Sequence, residues 1–290
     1  MRIPIGVWVE SAVEWLKDNM SGLFTFIKIG LGQVIDFFEM IFTLLPFVVM
    51  LIIIVLLALR TAGIKAAIFA LLGLLLVYFT DLWTPSMETL AMITTATLIA
   101  LVIGIPLGIL MAKSNHANKI IRPILDFMQT MPSFVYLIPA VYFFGLGTVP
   151  GTIATIIFAM PIVKLTDLGI RQVPKEVVEA ASAFGATPFQ KLAKVQLPLA
   201  MPTMLAGLNQ TIMLSLSMVV ISAMIGAEGL GKIVLKGIPQ MKIGQGFEGG
   251  LAVVIVAMIL DRITQCFGNM NKKSGSVFVK EYRKKKARRS

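Results

Sequence analysis

"EAASAFGATPFQKLAKVQLPLAMP", from Glu179 to Pro202, lies between two strongly apolar segments, yet it is polar, helix-prone and punctuated by Gly185, Pro188 and Pro198. Such a stretch does not suit a lipid-facing span, because backbone groups freed by glycine and proline find no water in hydrocarbon. Upstream, Pro174 suits the first turn of a helix. Val177, Ala180, Ala181 and Phe184 then recur at i, i+3, i+4 and i+7, which makes one apolar stripe. Gly185 is a natural terminator, after which Thr187 and Pro188 read as N-cap and first residue of a second helix with the stripe Phe189, Leu192 and Ala193. The expectation is two short amphipathic helices with a bend. Ala180 and Ala181 keep the surface shallow, and Glu176, Glu179, Lys191 and Lys194 stand at its rim. Such a pair either receives a partner or rests on a membrane surface.

The rest of the chain explains why that stretch is exceptional. Of 290 residues, 57% are hydrophobic and 14% charged, and the mean hydropathy is +0.87. Soluble chains carry about 25% charged residues, so this one is solvated mainly by lipid. Counted in apolar lengths of about 20 residues, the sequence offers seven candidate spans: 41–59, 62–79, 90–112, 124–147 (interrupted by Pro132 and Pro139), 150–168, 199–225 and 249–268. The runs are continuous rather than alternating, which points to helices and not to a β-barrel. The expected fold class is therefore all-α, a polytopic helical membrane protein.

Residues 1–40 read as an amphipathic N-terminal region: Trp8, Ala12, Trp15 and Leu16 share one helical face, and Glu10, Glu14, Lys17 and Asp18 the other. The stretch 22–40 is read as interfacial rather than spanning, because Lys28, Asp36 and Glu39 punctuate it. Residues 41–79 hold two peripheral spans, 80–268 the core domain with its polar loop at 171–198, and 269–290 a basic tail ending in "YRKKKARRS". With the N-terminus outside, 20 of the 26 lysines and arginines fall on cytoplasmic segments. This is the asymmetry of the positive-inside rule, and it puts the opening stretch and the tail in the cytoplasm. The tail reads as a topology signal, with contact to anionic membrane lipid as the sharper alternative. Nucleic-acid binding is not expected, since the charge sits beside a membrane without interleaved aromatics.

Catalytic and metal chemistry find few parts. There is one histidine, His116 in the loop "KSNHANK", and one cysteine, Cys266. No metal site and no His-dependent triad is expected from that inventory. "GAEGLGKI", Gly226 to Ile233, matches a phosphate-binding loop as far as its lysine, but Ile233 stands where magnesium needs Ser or Thr, and an apolar helix stands where a strand is needed. It reads as a tight turn. Gly104 and Gly108 form a G-x-x-x-G pair suited to close helix contact.

In the opening stretch, Glu179-Ala180-Ala181, Gly185 after three residues, then Val195, Leu197 and Pro198 resemble the E-A-A-x3-G-x9-I-x-L-P loop of ABC importer permeases, with valine for the usual isoleucine. "LDFMQTMPSFVYLIPAVYFFGLG", "NQTIMLSLSMVVISAMIGAEGLG" and "LDRITQ" are similar to the quaternary-amine branch, which imports glycine betaine or proline betaine. The resemblance implies a type I importer permease fold, with this loop as the coupling helix that docks on an ABC ATPase subunit. It further implies two copies of that ATPase holding ATP and Mg, with no cofactor on this chain. A second copy of the permease forms a homodimer, and an extracytoplasmic substrate-binding protein, a separate polypeptide, delivers the solute for osmoprotection. Another small amine or amino acid (choline, carnitine, proline) is the alternative cargo, and a stand-alone secondary transporter or channel the alternative class.

Polar residues within spans mark candidate pathway positions: Gln129, Thr130, Ser133 and Tyr136 in the fourth segment, Asn209, Gln210, Ser215 and Ser217 in the sixth. They either line a path or bond between helices. Phe134, Tyr136, Tyr142 and Phe143 offer aromatic faces to a trimethylammonium group or pack the core. Lys164 with Asp167, and Asp261 with Arg262, read as local charge partners.

Overall fold

The computed structural model describes residues 4–287, with side chains, apart from that of Ile5, as far as Gln265. The side chains of Cys266 and of the basic tail lie outside what is described. Among the described residues there is no strand.

Helices α1 (Ile5–Asn19) and α2 (Ser21–Leu44) form the N-terminal region. The apolar face of α1 is open, with Trp8 and Trp15 each more than 60% exposed, as suits a helix lying in an interface. Residues 22–40 are helical throughout, continuous into the expected first span. The break falls at Pro46 instead. Proline disfavours helical backbone in the residue before it, and Leu45 is extended (φ −73°, ψ 131°). Helix α3 (Phe47–Ala62) leaves α2 at 102° and packs on α4 (Ile64–Phe79) across Gly63.

Helix α5 (Trp83–Lys113) crosses the bundle unbroken. Helix α6 (Asn115–Thr130) follows at once, so "KSNHANK" is not a loop: the Ser114 hydroxyl accepts from the Ala117 amide at 3.2 Å, and His116 sits exposed in the first turn. Pro132 breaks the fourth segment as expected. Met131 is extended, and a 3-10 turn at Ser133–Tyr136 leads into α7 (Leu137–Phe144), bent 110° from α6. Pro139 falls in the first turn of α7, where its missing N–H costs no helical bond, so it does not interrupt.

Helices α8 (Thr148–Phe158) and α9 (Pro161–Arg171) meet at Ala159–Met160, with Pro161 opening α9. Then come α10 (Lys175–Ala183), α11 (Pro188–Lys191), a π-helical turn at Leu192–Gln196, α12 (Leu197–Ala223), α13 (Leu230–Gly237) and α14 (Ile243–Ala287). By length and apolarity four helical stretches can cross a membrane, six if each bent pair counts as one span, with the 16-residue α4 as a shorter apolar helix. The seven expected segments correspond to these four stretches, the two bent pairs and α4, so the count turns on whether each bent pair and the 16-residue α4 crosses.

The centre of the core is α9, wedged between α5 and α12. Small residues permit that closeness. A Cβ at Gly104 would meet Ile162 Cγ2 at 2.5 Å, and one at Gly108 would meet Thr166 Cβ at 2.5 Å and the Val163 carbonyl at 2.7 Å. From the other side Gly207 admits Leu165, whose Cβ would be 2.9 Å from an added methyl. The G-x-x-x-G pair is thus a packing device, as its spacing suggests.

Candidate functional site: an exposed helix pair on a packed bundle

Glu179 to Pro202 holds the bend between two helices that its pattern predicts, but the second is not a separate short helix: α11 runs on through the π turn into α12, one helical stretch from Pro188 to Ala223. Pro174 stands one residue ahead of α10 as its N-cap. The helix stops at Gly185, whose φ of +79° is left-handed and easy only for glycine. There the Gly185 amide donates to Ser182 O and the Ala186 amide to Ala181 O, both at 3.0 Å, consuming carbonyls the helix end leaves free. Two residues later Thr187 caps α11 in a reciprocal box: its hydroxyl accepts from the Gln190 amide at 3.3 Å, and its own amide donates to Gln190 Oε1 at 2.9 Å. Lys191 Nζ reaches back to Ser182 Oγ at 3.0 Å and fastens the second helix to the first.

The apolar stripe does not turn inward. Phe184 is 93% exposed and Phe189 73%, beside exposed Glu179 and Ala180. Two bare phenylalanines on a polar segment form a surface that lacks a partner among the described residues. Leu192 alone is fully buried, in a cluster with Ile170, Ala200 and Met204 that ties the pair to α9 and α12. Val195 and Leu197 are half-buried at this base, while Pro198 is exposed. Pro198 also explains the π turn. Its ring clashes with an α-helical carbonyl four residues back and supplies no N–H, so the backbone widens there and the Leu197 amide donates to Leu192 O. A cleft of about 240 Å³, lined in part by Arg171, Lys175, Glu179 and Gln196, separates the pair from the bundle end.

The eight pathway candidates are not gathered in one place. Tyr136 is buried, and its hydroxyl donates to the Met128 carbonyl. Ser215 is buried and donates to Thr211 O at 2.9 Å within its own helix. Asn209 accepts from Thr264 at 3.0 Å, a helix-to-helix bond. Thr130 donates to Phe127 O at 2.8 Å, and Ser133 is half-buried in the 3-10 turn. Gln129 accepts from Lys164 Nζ at 2.6 Å. Only Gln210 and Ser217 share an outward face, the stripe of α12 that also exposes Ala206, Met213 and Met224. The aromatic residues are likewise dispersed. Phe143 stacks on Phe24 with centroids 4.3 Å apart, and Lys17 Nζ lies 4.2 Å from the Tyr142 ring centre, already covering that face. Tyr136 and Tyr142 do line one apolar cleft of about 740 Å³ between α1 and α7, with Glu10 at its edge.

Both expected local charge pairs are replaced by others. Lys164 pairs with Asp126 of α6 at 2.5 Å, not with Asp167, and Asp167 takes Arg171 Nε at 2.6 Å and Asn118 Nδ2 at 2.8 Å. Lys164 and Asp167 are neighbours by sequence, but each reaches a better-placed partner. Asp261 accepts from Gln265 at 2.7 Å rather than pairing with Arg262. Arg171 further donates to Asn115 Oδ1 at 3.0 Å and to the Met111 carbonyl at 2.5 Å. Asn115, Asn118 and Asp126 join this network through partners 38 to 56 positions away, and nothing in their own neighbourhood of the sequence marks them.

The glycine turn at Gly226–Gly229 closes on α5, with the Leu230 amide donating to Thr89 Oγ1 at 2.8 Å. That amide is used, and an α-helix precedes the turn, so the resemblance to a phosphate loop ends at spelling. Among the residues searched for clustered metal-ligating side chains none qualifies.

A glycine-packed helical bundle with four to six elements long and apolar enough to cross a membrane, carrying an exposed amphipathic pair, marks a multi-pass membrane protein. Comparison with known proteins gives the family. The chain belongs to the binding-protein-dependent transport system inner membrane components, which it matches over residues 104–269. It is 52% identical over 282 residues to the glycine betaine/carnitine transport permease GbuB of Listeria monocytogenes, covering 94% of this chain and 98% of that one. It is 46% identical over 275 residues to the glycine betaine/proline betaine permease ProW of Escherichia coli, covering 94% and 78%, and 47% identical over 267 residues to the glycine betaine permease OpuAB of Bacillus subtilis, covering 91% and 94%. Among solved structures, the MetNI methionine ABC transporter in an inward-facing form shares the fold, with a TM-score of 0.56 at 24% identity over 67% of this chain and 95% of that one.

Proposed function

We propose that the protein is the membrane subunit of an ATP-driven importer of glycine betaine or a related compatible solute, serving osmoprotection. The observation that carries this reading is the helix pair from Lys175 to Lys191, held by two sets of caps and presenting Phe184 and Phe189 to the outside. Its shape suits the cleft of a separate ABC ATPase subunit, which supplies the ATP and Mg chemistry, so this chain moves but does not hydrolyse. The names of GbuB, ProW and OpuAB support glycine betaine as cargo.

Two copies face each other around a central path, with the outward stripe of α12, including Gln210 and Ser217, toward the partner copy. Two ATPase subunits sit beneath, on the cytoplasmic side with the basic tail, and the N-terminus lies outside. An extracytoplasmic receptor delivers solute to the outer face. Closure of the ATPase pair draws the two docking helices together and opens the path outward; hydrolysis reverses it. The charge distribution supports this orientation, and the apolar packing of α9 supports rigid transmission from the docking pair into the bundle.

The test is reconstitution in vesicles with ATPase and receptor subunits, followed by ATP-dependent uptake of labelled glycine betaine against choline and proline. Uptake that needs all three components and prefers glycine betaine supports the reading. Uptake by this chain alone would refute it.

A further inference from the structure

The helices around the docking pair are joined to it in two different ways. Helix α9 meets α5 and α12 through close contacts at Gly104, Gly108 and Gly207. Such a joint has one low-energy arrangement, because displacement opens voids or drives side chains into backbone. The joint between α9 and α6 is polar. Asn115, Asn118, Asp126 and Gln129 fall on one stripe of α6, and Lys164, Asp167 and Arg171 on one stripe of α9. Every one of the seven is bonded across the joint: Arg171 to Asn115, Asn118 to Asp167, and Lys164 to both Asp126 and Gln129. Asp167 is 5% exposed, and Arg171 bonds it along α9 as well, so at the lower half of the joint the carboxylate is buried while Arg171 and Asn115 stay at the surface. Arg171 is the last residue of α9, four before α10 begins. Displacing the docking pair therefore pulls first on Arg171.

We propose that this seam transmits movement of the docking pair to α6, and through the bend at Pro132 to the turn carrying Ser133 and Tyr136. Lys164, Asp167 and Arg171 are its positioning residues. A polar seam can shift where a glycine-packed one cannot. Lys164 has two acceptors three residues apart on α6, a separation of about 4.5 Å along the axis. As α6 slides past α9, the ammonium passes from Asp126 toward Gln129 or back and keeps an acceptor throughout, while the Asp126 carboxylate, 57% exposed, is left to water and not to a buried site. This is the size of step by which helices ratchet past one another in switching proteins. The apolar outer surface of α6, with Ile120, Ile124 and Phe127 exposed, offers lipid no fixed grip that would oppose the slide. The inference rests on the docking pair receiving an ATPase.

The experiment uses the reconstituted complex of permease, ATPase and receptor, with glycine betaine uptake and ATP hydrolysis measured on the same vesicles. The unmodified complex is the control: if it shows no ATP-dependent uptake, the functional reading fails and the seam with it. Given that control, Lys164→Met and Asp167→Asn are expected to lower uptake by about tenfold or more while hydrolysis stays within about twofold, the signature of lost coupling. Exchange of the pair, Lys164→Asp with Asp126→Lys, restores part of the uptake. In a second arm, Met128→Cys on α6 and Met160→Cys at the start of α9, which pack on one apolar cluster beside the seam and leave its seven polar residues intact, are introduced with Cys266→Ser and bridged by a short bis-methanethiosulfonate. Bridging is expected to stop uptake and reductant to restore it, a readout that a folding defect does not produce. Uptake and hydrolysis falling in proportion, normal uptake in Lys164→Met and Asp167→Asn, or normal uptake by the bridged protein would each overturn the seam while leaving the importer assignment standing.

Discussion

Gly185 shows how much one residue decides. Its left-handed backbone lets the chain reverse between α10 and α11 within four residues, and a side chain there costs on the order of 1–2 kcal/mol. Nothing lies within 4 Å of where its Cβ would be, so the strain is conformational and local. Gly185→Val is expected to leave the amount of protein in the membrane unchanged and to abolish uptake. Immunoblots of membranes beside uptake assays check this, and normal uptake would count against the docking assignment. Thr187→Ala removes the cap of α11 at a cost of about 1 kcal/mol, read as faster amide exchange over residues 189–192. Both residues were legible in the sequence because caps and terminators act on neighbours a few positions away. Asn118 was not: its partner Asp167 is 49 positions distant, and nothing local selects it.

At the scale of elements, Pro198 sets the rotation of the docking pair. Each residue of an α-helix advances about 100°. Pro198→Ala would let the widened turn at Leu192–Gln196 return to α-helical register and swing α10 and α11 about the axis of α12. Uptake is expected to fall sharply while the melting temperature of the purified permease holds or rises; unaltered uptake would show that the pair tolerates rotation. Packing gives the opposite pattern. Gly108→Leu forces a side chain into the Val163 carbonyl and Thr166, overpacking that typically costs 1–3 kcal/mol. Its melting temperature in detergent is expected to drop by several degrees, whereas Gly22→Leu, with open space around it, is expected to be neutral. The bend at Pro132 was legible as an interruption but not as an angle, and the one at Pro46 was not legible at all within the apolar run 41–59, since a proline removes a bond and leaves the new direction to whatever the next helix packs against.

At the scale of the molecule, orientation and assembly are open to direct measurement. Phe184→Cys and Met241→Cys, both introduced with Cys266→Ser, place thiols at positions 93% and 87% exposed. A membrane-impermeant maleimide is expected to label Met241→Cys in intact cells and Phe184→Cys only in inside-out vesicles; the reverse pattern would invert the topology. If the outward stripe of α12 faces a second copy, Met213→Cys is expected to yield a covalent dimer on oxidation and Ile120→Cys, on α6, none.

The sequence by itself determined that the chain is helical and lipid-solvated, that Pro132 breaks the fourth segment, and that one polar stretch forms a capped helix pair. These depend on composition, periodicity and hydrogen bonds closed within a few residues, and lipid allows few other ways to satisfy a backbone. Only the tertiary structure decided that the pair turns its phenylalanines outward, that α9 is gripped through glycines on both sides, and that Lys164 chooses Asp126 over Asp167. Charges pair by distance in space, and that distance exists only after α5, α6, α9 and α12 have packed.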